Sequence, residues 1–200
     1  ETLDWNGTSW STTPNVIVPF NGMNSYYPSF SPDSQWVLFN QSPGNHDSYS
    51  NAGGSQSGSA GDGQMWIVSK DGGTPVELAL ANKGGLSSWA KWVPAQMTYA
   101  GGDVLWLTFT SYRAYGLRLA DGANAQLWMM AIDLGKLRTS GEKNPHDPSM
   151  PPFWLPFQDI QSGNHIAQWV AKVERQPCAK DIECPTGQVC KQGLCVPTVK

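Results

Sequence analysis

Four groups of residues in this 200-residue chain have types and spacing that could do chemistry. Cys178, Cys184, Cys190 and Cys195 stand in a C-x5-C-x5-C-x4-C pattern, and residues 1 to 177 contain no cysteine. That spacing lacks the paired C-x2-C knuckles of most zinc ribbons and encloses no histidine, so two disulfides are favoured over a metal site, with a reduced tail as the alternative. Disulfides persist outside the cytosol, which points to an exported protein. Arg113 and Arg118 flank Tyr112 and Tyr115. Guanidinium groups beside phenol rings could pair with a carboxylate and stack on a ligand or peptide; alternatively the rings pack between sheets and the arginines bond loop carbonyls. Asn164 and His165 open a late apolar segment, where the imidazole could approach a channel or a rim or serve structure alone. Asn45, Asp47 and Asp62 offer oxygen ligands for calcium, set against a plain solvated loop because no D-x-D-x-D-G ladder is present. There is no G-x-S-x-G elbow, no H-E-x-x-H, no P-loop and no C-x-x-C-H. No catalytic residue and no cofactor is assigned.

Length and composition bound what can position these groups. Two hundred residues suffice for one domain with a sizeable core plus an appendage. Charged residues make up 14% and the formal net charge is -3, which argues against a nucleic-acid partner and against a charge-driven disordered tail. No apolar run reaches the roughly 18 residues that a membrane helix needs. The chain opens with Glu1 and carries no basic, apolar leader, as expected of a mature, processed or trimmed form. Gly 21, Pro 15 and Trp 10, with short Val, Ile, Leu and Trp runs between turn residues, describe an all-β protein.

An internal repeat organises those runs. Phe30-Ser31-Pro32 returns as Trp92-Val93-Pro94 and as Trp154-Leu155-Pro156, an interval of 62 twice over. Trp66 and Trp128 keep the same interval. Each unit reads as four short strands. The first unit predicts Tyr27 to Ser31, Gln35 to Asn40, Met65 to Ser69 and Pro75 to Leu80, with "SPDS" and "KDGGTP" as turns. The second predicts Trp89 to Val93, Val104 to Ser111, Gln126 to Ile132 and a weak segment near Leu137. A third offers Phe153 to Leu155 and His165 to Ala171, and Asn15 to Phe20 reads as the last strand of an earlier unit.

Repeated four-stranded sheets stacked through aromatic faces are the blades of a β-propeller. "YYPSFSPDSQWVLFN" followed by "MWIVSKDGGTPVEL" resembles the TolB-type propeller repeat, over about residues 27 to 172. Ser34 replaces the Gly usual in that turn, and "VPAQ" stands where the second unit should read "SPDG". The chain is also similar to exported TolB-like proteins of myxobacteria, some of which carry a Cys-rich tail of the "DxxCPxGxxC" kind, here "DIECPTGQVC". Four cysteines allow three connectivities; analogy with small secreted modules implies Cys178 with Cys190 and Cys184 with Cys195.

The expected organisation is therefore a propeller segment over residues 1 to 174 and a Cys-rich tail over 175 to 200. Within the segment stand a blade end at 15 to 20, blades at 27 to 80 and 89 to 138, and a partial blade at 152 to 172. Since propellers need roughly four to eight blades, this reads as an arc of a larger ring, with the missing half or another protein as partner. Two insertions, Gln41 to Gly63 and Ser111 to Ala125, should emerge on one recognition face. The resemblance and that face imply a non-catalytic module of a periplasmic, outer-membrane-associated or extracellular bacterial protein, binding a protein or peptide. The alternatives are a propeller domain or subunit of a hydrolase or peptidase, and a carbohydrate-binding surface. Trp36, Trp66, Trp92, Trp106, Trp128 and Trp154 fall on repeat strands, where blade packing explains them without a sugar.

Overall fold

The computed structural model describes residues 1–43, 63–84, 86–116, 124–138, 146–170 and 176–197. Glu1–Trp169 forms one compact unit and Val170–Lys200 a second. The larger unit holds two four-stranded antiparallel sheets, each with its strands in chain order. The first comprises β1 (Asn24–Phe30), β2 (Trp36–Ser42), β3 (Gln64–Ser69) and β4 (Val76–Glu77). The second comprises β5 (Ser87–Tyr99), β6 (Gly102–Ser111), β7 (Gln126–Asp133) and β8 (Phe153–Trp154). A short helix follows β4, α1 (Ala79–Asn82), and another follows β7, α2 (Leu134–Arg138).

The first hairpin turn is built by its own side chains. Ser34 N–H donates to the Ser31 carbonyl at 2.8 Å, Trp36 N–H donates to Ser31 Oγ at 3.0 Å, and Asp33 Oδ1 accepts from the Ser31 hydroxyl. Ser34 pays for this with a φ of 58°, the left-handed region where the resembled motif carries glycine. The second hairpin turns elsewhere. Pro94, expected to end β5, lies inside it at a register shift between Trp92 and Gln96, because a bulge tolerates a residue without an N–H. The turn moves to Ala100 and Gly101, both at positive φ.

The repeat is visible in space as well as in sequence. Trp66 in β3 pairs with Phe39, and Trp128 in β7 pairs with Phe109, each in the third strand opposite a phenylalanine of the second. Tyr27 and Trp89, again 62 apart, sit at bulges in the first strands with φ of 52° and 57°. Their rings stack with centroids 3.8 Å apart, fastening one sheet to the other.

Side-chain alternation then sets which way each sheet faces. Trp36, Leu38, Met65 and Ile67 of the first sheet share one continuous core with Trp92, Leu107, Phe109 and Trp128 of the second. Trp66 points the other way, into a smaller cluster of Val37, Phe39 and Val68 closed by Ile17 and Val18. Thus Trp128 faces the first sheet while its repeat counterpart Trp66 faces away from the second. The sheets stack head to tail. In a two-fold sandwich both tryptophans would face inward. Gly72 lets the N-terminal segment approach the β3–β4 turn: a Cβ there would stand 3.5 Å from the Ile17 backbone, and its φ is +84°.

Several expected elements differ. Leu137 lies in α2, not in a strand, with its side chain fully buried in the shared core. Phe153–Trp154 is the fourth strand of the second sheet, paired with Met129 and Trp128, and does not open a third unit. The 62-residue step to Pro156 is therefore a coincidence of spacing. The end of the predicted Pro75–Leu80 strand is α1, which turns Leu78 and Ala81 into the core. Asn15 makes a single bridge to Thr2, and Val16 to Phe20 carry no strand pairing. Residues 165–170 are likewise not a strand; Trp169 Nε1 donates to Thr108 Oγ1 and Ile166 N–H to Thr110 Oγ1 across the outward face of the second sheet.

The smaller unit pairs β9 (Gln188–Lys191) with β10 (Leu194–Pro197) beside a 3-10 turn at Asp181–Glu183. Disulfides join Cys178 to Cys190 and Cys184 to Cys195, with Cα separations of 5.8 and 5.5 Å. This is the pairing expected by analogy. With Cys195 the one buried hydrophobic side chain among its described residues, the unit depends on covalent bridges where the larger one depends on a core. Among the described residues no helix is long and apolar enough to cross a membrane.

Candidate functional site at the loop end of the second sheet

The strand ends that carry the two insertions hold a layer of buried polar groups. Asn40, Ser87, Ser111, Arg113 and Gln126 are all buried there. Such groups are tolerated inside only when hydrogen-bonded, and this layer is bonded across the sheets. Asn40 Nδ2 donates to the Ser87 carbonyl at 2.7 Å and to the Gln64 carbonyl at 3.2 Å.

Arg113 was expected on a ligand-facing surface, and it is instead 6% exposed. Its Nε donates to Ser111 Oγ and one terminal nitrogen to Ser87 Oγ, each at 3.0 Å, while that nitrogen also donates to the Ala81 carbonyl at the end of α1. The guanidinium carbon lies 5.1 Å from the centre of the Phe109 ring and 5.0 Å from that of Trp128. No carboxylate among the described residues pairs with it. Burial without a counter-charge lowers its pKa from the ordinary arginine value to about 10. The side chain is an internal tie between β5, the segment after β6 and the preceding helix. The physical reason is that α1 leaves carbonyls unpaired at its end, and a long cationic fork can reach them.

Tyr115 is placed differently. Its ring is 43% exposed and stacks on Trp154 at 5.2 Å with 23° between planes, and it meets Trp128 edge-on at 5.6 Å. Tyr115 is thus an outward-looking aromatic held by two indoles, over a cation buried between Phe109 and Trp128.

Asn164 and His165 belong to the adjoining segment. Asn164 N–H donates to the Ala125 carbonyl at 2.8 Å, and its side-chain amide donates to the Asp159 and Ser162 carbonyls, so it orders the loop before it. His165 is exposed. Among the described residues neither bonds to Arg113 or Tyr115. In the same loop the Ser162 hydroxyl, and after it the Gln161 N–H, hold the Asp159 carboxyl below its usual pKa. Arg118 and the proposed calcium ligands Asn45, Asp47 and Asp62 lie outside the described residues. The four cysteines are all consumed by disulfides.

Two residues that hold this end of the sheets were not legible in advance. Gln158 bonds both the N–H and the carbonyl of Leu127, at 2.6 and 2.8 Å, and Asn82 does the same to Met65, at 2.9 and 3.2 Å. Met65 and Leu127 are 62 apart, so each sheet clamps the same third-strand position with a side-chain amide, beside a backbone bond from the Leu78 N–H to Met65 and from the Leu155 N–H to Leu127. The clamps themselves are 76 apart, off the repeat interval, which is why spacing did not reveal them.

No protein-family model, curated protein or solved structure matches the chain.

Proposed function

We propose that this chain is an arc of a TolB-like β-propeller acting as a non-catalytic binding module of an exported or cell-envelope protein, and that it recognises a protein or peptide at the loop end of its second sheet. Head-to-tail stacking, with Trp66 and Trp128 directed the same way along the stack, supports the propeller reading. The two disulfides of the small unit support an oxidising compartment, periplasmic or extracellular.

The observation that carries the binding function is Tyr115. An exposed tyrosine locked by Trp154 and Trp128 presents contact area that loses little side-chain entropy on binding, the character of an interface anchor. Arg113 acts through position: it fixes the loop base that carries Tyr115 and touches no ligand.

Selection of a displayed random-peptide library on the full chain tests this. Enriched peptides should bind with Tyr115→Ala weakening them by about tenfold or more, while near-UV circular dichroism shows that the variant keeps its fold after losing the contacts to Trp154 and Trp128. Peptide and glycan substrates incubated with the chain should remain intact. Enrichment of no peptide, equal binding by Tyr115→Ala, or turnover of a substrate would each overturn the proposal.

A further inference from the structure

Residues 2–15 fold into a small hairpin whose side chains enter neither hydrophobic cluster of the sheets. Thr2 and Asn15 exchange both backbone bonds at its base, at 2.9 and 2.8 Å, and Trp5 and Trp10 face each other nearer the tip. The Ser11 N–H donates to the Asp4 carbonyl at 2.7 Å and the Asn6 N–H to the Ser9 carbonyl at 3.2 Å. The two tryptophans thus hold the unbonded position between these bonds, where cross-strand side chains come closest. Asn6 fixes the turn, its Oδ1 accepting from the Thr8 and Ser9 N–H groups, each at 2.9 Å. The indoles stand with centroids 5.1 Å apart and 51° between planes, and the residues are 52% and 61% exposed. An aromatic surface is held in place here without serving the interior.

What such a surface takes is decided by its surroundings. A saccharide stacks on indoles but needs polar side chains beside them to meet its hydroxyls, and those of the hairpin are occupied. Asn6 Nδ2 donates to Ser9 Oγ at 3.2 Å, Ser11 Oγ accepts from the Asp4 N–H at 3.0 Å, and Asn15 Nδ2 donates to Asp4 Oδ2 at 3.3 Å. The charge of this part of the chain has one sign. Asp4 precedes Trp5 directly, and Glu1, Asp4, Asp33, Asp47 and Asp62 all come before the first basic residue, Lys70. Aromatic faces carry negative potential of their own, and indole attracts cations more strongly than the other aromatic side chains.

We infer that the Trp5–Trp10 pair is a binding site for the guanidinium group of an arginine on a protein partner. A guanidinium is planar and weakly hydrated, and it stacks flat on an indole with its N–H groups still in water; a lysine ammonium is compact and strongly hydrated, and loses more on leaving water. Asp4 turns to the other side of the strand, where Asn15 holds it, so it adds negative potential and not a contact. The site lies on a different element from Tyr115 and is independent of the functional proposal.

Titration of the full chain with an arginine hexapeptide, followed through the indole N–H resonances, tests it. The Trp5 and Trp10 signals should move further than those of the remaining tryptophans. A lysine hexapeptide of equal charge should bind about threefold more weakly. Trp5→Leu and Trp10→Leu each keep an apolar cross-strand pair while removing one ring, and each should weaken the arginine peptide by about the same factor. The double variant should bind the two peptides alike. Unmoved Thr2 and Asn15 amide signals report an intact hairpin; should a leucine variant lose it, the contrast between the two peptides on the parent protein still decides. Equal binding of both peptides by the parent, or shifts no larger at Trp5 and Trp10 than elsewhere, would overturn the inference. So would movement of those two signals by methyl glucoside and not by the arginine peptide, or full affinity for that peptide in a folded double variant. Peptides selected at Tyr115 should bind the double variant as they bind the parent, so the two proposals fail separately.

Discussion

The two sheets of the larger unit are built to one plan and finished differently. Each has a bulged first strand with an aromatic residue in the left-handed region, a tryptophan opposite a phenylalanine across the second and third strands, and an amide side chain clamping the third. Yet Trp92 is enclosed where Phe30 lies open. A β-sheet has two faces to bury, and a stack of two has one shared interior and two ends. What a residue contributes is therefore decided by its place in the stack more than by its type.

That comparison can be broken first by truncating the matched aromatics. Trp92→Ala should cost about 3–5 kcal/mol of unfolding free energy, because it opens a cavity and deprives the Ser29 carbonyl of the indole N–H that donates to it at 3.1 Å. Phe30→Ala should cost less than about 1 kcal/mol. Denaturant melts of the two variants check the contrast, and equal losses would mean that the outward face is as well packed as the shared one.

The amide clamps give the next largest effect. Gln158→Ala leaves the Leu127 N–H, and Asn82→Ala the Met65 N–H, without its partner at about 1–3 kcal/mol, while the two carbonyls still accept from the Leu155 and Leu78 N–H groups. Hydrogen exchange should quicken at Leu127 in the first variant and at Met65 in the second. Faster exchange at both sites in either variant would show that the sheets open as one unit.

A smaller change sharpens the comparison from the turn. Ser34→Gly should stabilise the chain by up to about 1 kcal/mol, since glycine adopts the φ of 58° without the steric cost that serine bears. A drop in melting temperature would show that the serine contributes a contact outweighing that strain.

The smallest effect concerns acid. The Asp159 carboxyl is held below its ordinary pKa by the Ser162 hydroxyl and then the Gln161 N–H. A depressed carboxylate pKa contributes stability that is full above the unfolded value and lost as pH falls through the folded one. The Gln161 and Ser162 amide resonances should therefore shift below the usual carboxylate range while those of the first sheet hold. No movement between neutrality and strong acid would remove Asp159 from the loop's support.

Much of this architecture was legible. The interval of 62 between Trp66 and Trp128 and between Tyr27 and Trp89 is a property of order along the chain, and strand alternation converts it into matching positions in two sheets. The same interval misled at Trp154, because a strand of two residues between proline-rich segments can be the last of one sheet or the first of the next. The four-strand plan places a weak strand near Leu137, but α2 there is a single turn, too short to display a helical period. At the candidate site, the sequence left Tyr115 between stacking on a ligand and packing among the sheets; the ring packs on Trp154 and Trp128 with 43% of the residue exposed. The alternative weighed for Arg113, a bond to a carbonyl, is the one it makes, but its acceptors lie up to 32 residues earlier, at Ser87 and Ala81 on other elements, which spacing does not reveal.

Sequence alone determined the strand content, the tandem plan, the separate cysteine-bridged tail and the pairing position of each repeat tryptophan, because these follow from local preference and spacing. Tertiary structure alone decided which face of each sheet is enclosed, that Arg113 ties elements together from inside, and which residues are left looking out. Those outcomes depend on contacts between segments distant in the chain, and no local pattern encodes what will come to lie against a residue once the chain has folded.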